Sequence, residues 1–349
     1  MSEFRIDKIT NRVGDAGTQI AGITTFSGTS GMQLPVGPTE YRGGRGRAVR
    51  AGGRISPSQK REMDYMEIAT LGNAADFGDL SLSAAYGSGT SSATRGIVQL
   101  GGAPAANTYS TALDYYTFSS QGGAHDFGDG TIGLHSGTAF ANQTRGCFVG
   151  GRSGPGVMQN KIYYVTIATT GDASDFGDYT KGRHHIASVA SQTRGVFGGG
   201  YVEPAFTVQE KDLQYVTTAT KGNAKDFGDM FTGRYRFSGC SNTTRGLYMG
   251  GSFTPSAPTI VQINTIDYIT IASLGNGQDF GDLTLARAGN AASASATRGL
   301  CMGGYDPSAN TNIIDYVNIA TTGNAADFGD LTQALFDLTS QSDAHGGLG

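Results

Sequence analysis

The tetrapeptide Asp-Phe-Gly-Asp occurs six times, starting at Asp76, Asp126, Asp175, Asp226, Asp279 and Asp327. Two carboxylates around a flexible glycine could ligate a divalent cation, and the same core sequence binds magnesium in protein kinases. A kinase would also need a Gly-rich loop, a paired lysine and a His-Arg-Asp element, and the chain has none of these. A dedicated calcium site would need a denser acidic loop than two carboxylates per copy supply. A second charged set runs in step with the first. Thr-Arg-Gly recurs at Arg95, Arg145, Arg194, Arg245 and Arg298. A guanidinium can grip a carboxylate with two parallel hydrogen bonds, so the expectation is a ring of arginine–aspartate pairs within or between repeats. The histidines (His125, His135, His184, His185, His345) show no recurrence in register. The cysteines (Cys147, Cys240, Cys301) form no CxxC spacing, so neither set implies a metal, cofactor or disulfide framework. No Ser-His-Asp elbow, Walker loop or zinc signature is present, and the chain reads as a non-enzyme.

These charged residues sit on a repeating frame. The Asp-Phe-Gly-Asp starts lie 50, 49, 51, 53 and 48 residues apart. A constant period of this size is the mark of a propeller or array, and a motif present in every copy belongs first to its architecture. Each copy opens with a β-branched, aromatic segment (DYMEIAT, DYYTFSS, YYVTIAT, QYVTTAT, DYITIAS, DYVNIAT) bounded by Gly and Asn or Asp turns. A small/apolar alternation leads to the Thr-Arg-Gly triplet, and a short apolar run then stops at a Gly pair. Three or four short strands per repeat with no helical periodicity predict an all-β blade. The phenylalanine is expected to enter the core between blades, with its aspartate accepting turn N–H groups.

Five Thr-Arg-Gly arginines against six Asp-Phe-Gly-Asp units leave one missing. It lies upstream: residues 46–53, GRAVRAGG, align without gaps on residues 144–151, TRGCFVGG, and make Arg47 the sixth arginine. The last repeat ends at residues 338–342, LTSQS, the kind of segment that precedes such a strand. One blade is therefore shared between the two ends of the repeat region, which closes the ring and removes its open edges. The expected organisation is an N-terminal anchoring arm at 1–44 and a six-bladed β-propeller at 45–349.

Glycine is 55 of 349 residues without a Gly-X-Y period, which excludes collagen and suits many tight turns. A net charge of -4 gives no broad footprint for nucleic acid. The local basic cluster (Arg42, Arg45, Arg47, Arg50, Arg54, Lys60, Arg61) is expected to contact a neighbouring blade or chain. No apolar run approaches the roughly 18 residues of a spanning helix, and the first residues lack the apolar core of a signal peptide, so a soluble protein without membrane insertion is expected.

The pattern resembles a kelch-type propeller: an apolar strand ending in Gly-Gly, a tyrosine-bearing strand, an aromatic residue, then in some copies an arginine (Arg183, Arg234, Arg287). It departs from kelch in having no tryptophan. Phe77, Phe127, Phe176, Phe227, Phe280 and Phe328 stand nearest to it. A kelch-fold oxidase would need a copper set of tyrosines, histidines and a reactive cysteine, which the motifs do not assemble. The whole design, a short arm fused to Gly-rich repeats of this kind, resembles virion structural proteins of marine tailed phages such as cyanophages. That resemblance implies a fibre, appendage or capsid decoration in the virion, assembled in the host cytoplasm and multicopy or homo-oligomeric. Its arm would be held by other virion proteins and its propeller would display a host-attachment surface. The alternative is a stand-alone glycan- or protein-binding module.

Specificity is expected where the copies differ. The loops after each Gly pair vary most and carry Tyr109, Arg152, Tyr201, Phe206, Phe253 and Tyr305, which repeat symmetry places on one rim. In the arm, Ile20, Ile23 and Phe26 read as strand and Met32 and Leu34 as an extended segment. Apolar residues that cannot be buried alone imply a partner chain.

Overall fold

The computed structural model describes residues 46–102, 109–202, 209–256 and 259–348, together with the backbone of a hairpin between Thr25–Ser27 and Gly31–Gln33. Residues 1–42 and 43–349 form two separate units. In the first unit the two expected extended segments pair, with Phe26 opposite Met32. Ile20, Ile23 and Leu34, and the side chains of Phe26 and Met32, lie outside the described residues.

The second unit is a six-bladed β-propeller. Blade 2 shows the plan: Ser88–Ser91, Arg95–Gln99, Ala112–Thr117 and His125–Asp129 lie in antiparallel order from the axis outward. The first strands are short and rich in Ser, Thr, Ala and Gly, such as SGTS, ASVA and AASA, because six of them crowd one axis. The second strands, such as RGCFV, are buried on both faces, which is why they read as continuous apolar runs. The outer strands carry Asp-Phe-Gly-Asp. Blade 1 is closed as expected: Thr339–Ser342 pairs with Arg47–Ala51, Val49 opposite Gln341. The Asp343 carboxylate locks the junction by accepting the N–H groups of Gly46 and Arg47 at 2.7 and 3.0 Å.

Each Asp-Phe-Gly-Asp works as a clasp between blades. Its phenylalanine is buried, and the Phe77 ring meets Tyr116 of the next blade edge-on at 5.3 Å. The phenylalanine carbonyl accepts an N–H from a turn glycine of the next blade, as in Gly122 to Phe77 and Gly275 to Phe227, at 2.8 and 2.9 Å. In five of the clasps the backbone N–H of the second aspartate is capped by an Asn or Asp side chain of that same turn, Asn276 for Asp229 at 3.0 Å, whereas the turn facing Asp79 has Gly123 at that position. The first aspartate does not accept turn N–H groups as expected. It stands exposed on the blade's outermost strand, where a carboxylate discourages another chain from pairing with the open edge.

The expected pairing of the repeated arginines with these aspartates is corrected by the structure. Each guanidinium lies over the tyrosine of its own blade's third strand, Arg194 on Tyr215 at 4.5 Å for example, and donates to a backbone carbonyl of the following blade. The donations run Arg47 to Phe118, Arg95 to Ile167, Arg145 to Thr218, Arg194 to Ile271, Arg245 to Ile319 and Arg298 to Ile68, a closed circuit at 2.8–3.1 Å. A carbonyl at the blade seam is nearer to these side chains than any carboxylate on the outer edge. Other arginines, all with buried guanidinium groups, make ion pairs: Arg50–Asp64, Arg234–Asp267 and Arg287–Asp315 are buried on both sides, and Arg183 pairs with the part-exposed Asp212. All four guanidinium groups also donate to backbone carbonyls, the condition for burying a charge tolerably. The basic cluster thus turns inward through Arg47, Arg50 and Arg54, the last pairing with Asp337.

The clasp leaves no space for a side chain. A Cβ on Gly228, whose φ is +139°, would lie 2.5 Å from the Gly275 carbonyl oxygen, whereas Gly222, at φ +150°, has nothing within 4 Å. Gly222→Ala should therefore cost backbone strain alone, about 1–3 kcal/mol, and Gly228→Ala about 2 kcal/mol more, since it must also push two blades apart. Urea denaturation of the two variants checks this, and equal losses would contradict the clasp.

Candidate functional site at the axial mouth

From the end of each outer strand the chain crosses one face of the propeller to begin the next inner strand. The tenth residue after each repeat's first aspartate lies on this crossing: Tyr86, Ser136, His185, Arg236, Gly289 and Asp337. All six have φ between +53° and +66°. Their backbones bond head to tail around the axis. Ser136 donates to Tyr86, His185 to Ser136, Arg236 to His185, Gly289 to Arg236, Asp337 to Gly289 and Tyr86 to Asp337, at 2.7–3.3 Å. Left-handed backbone is costly for residues other than glycine, on the order of 1–3 kcal/mol each, and persists only where the surroundings over-determine it. The closed hydrogen-bond circuit does so here, and it fixes five side chains at the mouth.

The ninth residues stand beside them, and five pair with the residue that follows a Gly pair: His135 with Arg152, His184 with Tyr201, Tyr235 with Ser252, Ala288 with Tyr305, Phe336 with Arg54; Ala85 pairs with Gly102 itself. This places the variable loops on the same face. Four of the six expected rim residues meet there. Tyr109 stacks on His135 at 5.0 Å and 7°. Tyr201 packs on His184 at 4.0 Å and on His185 at 5.6 Å. The Tyr305 hydroxyl accepts from Arg236 at 3.0 Å, and Arg152 pairs with His135. Phe253 lies instead in a hairpin between Ser252–Ser256 and Thr259–Gln262, opposite Val261. Phe206 lies outside the described residues.

The histidines require a second correction. His135 and His184 occupy the same position of successive repeats, nine residues after Asp126 and Asp175, and His185 follows directly. They gather at the mouth, with His184 and His185 ring centroids 4.7 Å apart. Burial, with Arg152, Arg236 and Arg54 nearby, pushes His135 down to about 4. Burial and the neighbouring His135, Arg152 and Arg236 take His184 down to about 3. His185 is also lowered, by burial first and then by Arg236. All three are neutral at pH 7. His184 is fully buried and neither ring nitrogen has a hydrogen-bond partner, a deficit of about 1–3 kcal/mol. Beneath the ring lies a cavity of about 70 Å³ bordered by Tyr86, Ser136, His185, Arg236 and Asp337.

At the other end of the axis, residues 343–348 fill the channel. His345 bonds Ser91 at 2.9 Å, and Gly347 sits so close to the Ala141 carbonyl that a side chain could not fit. The cysteines are buried in the blade seams, with Cys147 pushed up to about 12 by burial. Among the described residues no group of three His, Cys, Asp or Glu could hold a metal ion. No helix is long and apolar enough to cross a membrane. A scan against protein-family models finds no match, and no curated protein matches the chain.

The depressed histidines couple stability to pH. Their ordinary value is 6.5, so below that pH the unfolded chain takes up protons that folded His135 accepts only near 4. The stability they contribute is complete above about 6.5 and is lost as the pH falls toward 4. Asp343, raised to about 7 by burial, works in the opposite sense over the same window. The informative quantity is therefore a difference: His135→Gln should lose less melting temperature than the parent chain between pH 6.5 and 4.5. Parallel scans with equal losses would show that His135 is not held neutral.

Proposed function

We propose that the chain is a non-enzymatic structural component of a virus particle, carried by its N-terminal arm and engaging a host-surface ligand through the axial mouth of its propeller. One observation supports the binding role above the rest. The phenylalanine, glycine and arginine repeated in every copy tie blades together, while tyrosines, histidines and arginines that differ between copies converge on a single mouth. The half-buried rings of Tyr109 and Tyr305, beside hydrogen-bonding groups, suit the edge of a sugar, which offers an apolar face and a rim of hydroxyls. The virion setting rests on the resemblance of the arm and Gly-rich repeats to marine phage structural proteins, and on an arm that forms a unit of its own. The buried cysteines, and a cavity holding no more than a small group, favour binding over catalysis.

Mass spectrometry of purified particles should find the protein, and particles that lack it would refute the virion setting. On an array of host polysaccharides the folded full chain should retain at least one glycan. A clean array with a folded protein would remove the binding role and leave the virion setting standing.

A further inference from the structure

We infer that Asp343 is a pH-dependent latch on the propeller. With its proton on, it seals the joint between the two ends of the repeat region, and its ionisation loosens residues 343–348 from the axial channel.

In blades 2 to 6 the first strand runs into the second through a turn of one plan. The turn opens with Ser92, Asn142, Ser191, Asn242 or Ser295. The backbone N–H of that residue donates to the carbonyl of the arginine three positions on, at 2.8–3.1 Å. Its side-chain oxygen accepts the N–H of the same arginine, at 2.8–3.2 Å. Blade 1 rebuilds this turn between Asp343 and Gly46, which are 297 positions apart. The Asp343 N–H donates to the Arg47 carbonyl at 3.2 Å, and its Oδ1 accepts from Gly46 and Arg47. Hydrogen bonds alone hold here what the other five turns hold through the chain.

The capping side chain is neutral in those five turns and a carboxyl in the sixth. Asn142 and Asn242 also donate onward through Nδ2, to the Gln192 and Ala296 carbonyls at 3.5 and 3.2 Å. An ionised carboxylate has no hydrogen to give. The Asp343 Oδ2 is buried and has no hydrogen-bond partner among the described residues.

The charged groups around it are engaged elsewhere. Arg47, on the strand it caps, turns its guanidinium to Glu67 and the Phe118 carbonyl, and Arg50 pairs with Asp64. His345, on the same segment, bonds the Ser91 carbonyl and is lowered by burial. The first strands packed against residues 346–348, TAFA, ASVA and SGCS, carry no charged side chain. A carboxylate in such a place is costly. Burial raises the Asp343 carboxyl to about 7, although the Gly46 and Arg47 N–H groups pull it down.

Once released, the carboxyl would titrate at its ordinary 3.8. The latch is therefore strongest below that pH, weakens as pH rises toward 7, and changes no further above it. His345 acts in the opposite sense, because its lowered imidazole favours the docked segment above 6.5. Behind His345 lies a chamber of about 70 Å³ bordered by Ser91, Phe140, Cys240 and Ser342, which loosening of the segment uncovers.

Hydrogen exchange of the 343–348 amides in the full chain, parent against Asp343→Asn, tests the latch. The ratio of the two rates at one pH cancels both the chemistry of exchange and the contribution of His345. It should rise about tenfold or more between about pH 5 and 7, then stay level at higher pH. Third-strand amides such as 213–217 should exchange more slowly than the segment throughout, because the release is local. Asparagine already caps this turn at 142 and 242. If the variant does not fold, Asp343→Ser, the residue of the turns at 92, 191 and 295, takes its place. Carboxyl-carbon NMR of the parent chain adds a reading that needs no variant, with Asp343 expected to titrate near 7. A flat ratio, a titration near the ordinary 3.8, or a segment that exchanges only together with the third strands overturns the inference.

Discussion

The propeller depends on how closely the outer strand of one blade approaches the turn of the next. At every seam a phenylalanine carbonyl takes a glycine N–H at 2.7–2.9 Å, and the glycine of the clasp has a neighbour where a Cβ would be. Two backbones can come that near only with glycine on one side, so the third residue of Asp-Phe-Gly-Asp sets the spacing of the ring. The phenylalanine beside it then fills the seam, and the Thr-Arg-Gly arginine spans the same seam from its other edge. Backbone contact, ring packing and a charged donor to a carbonyl thus act at one junction, repeated until it closes on itself. Such bonds to a charged donor contribute about 1.5–3 kcal/mol each, and six of them in a closed circuit cannot be loosened singly without opening a blade edge.

The regularity of the seams permits irregularity elsewhere. Because the crossings are held in register, their tenth residues share one backbone state while their side chains range over Tyr, Ser, His, Arg, Gly and Asp. Symmetry in the backbone and variety in the side chains are separable because the ring's own N–H and C=O groups satisfy one another. Nothing in the scaffold requires an imidazole or a guanidinium at those positions. Glycine would be less strained at each, as Gly289 shows.

This division also decides what could be read before folding. Period, strand order and the shared blade were legible because each is a matter of counting: six Asp-Phe-Gly-Asp units, five Thr-Arg-Gly arginines, and Arg47 as the sixth. The partners of the charges were not. Asp175 and Arg194 sit in adjacent repeats with complementary charge, yet Asp175 is on the outermost strand, and a register shift between Ile162 and Tyr163 follows from the bulge beside it. The acids that do pair with buried arginines, such as Asp267 and Asp315, are on third strands facing inward, and strand order alone does not tell which way a side chain turns. The mouth was half legible. Variable loops carry Tyr109, Arg152, Tyr201 and Tyr305, but His135 and His184 share a position in only two of six copies and so give no repeat signal. Their spacing is the signal: both lie nine residues after the first aspartate of their repeats, Asp126 and Asp175.

The two ends of the axis complete the reasoning. Residues 343–348 occupy one mouth, and Asp343 bonds the first residues of the closing strand, so the same segment that seals the ring also stoppers the channel. A ligand on the axis can then come only from the face where the strained side chains gather. Strain without function would be expected to drift toward glycine, since each such replacement relieves backbone energy. Here that strain is held by the head-to-tail hydrogen bonds, which keep Tyr86, Ser136, His185, Arg236 and Asp337 in one left-handed state at the end of the axis opposite the plug.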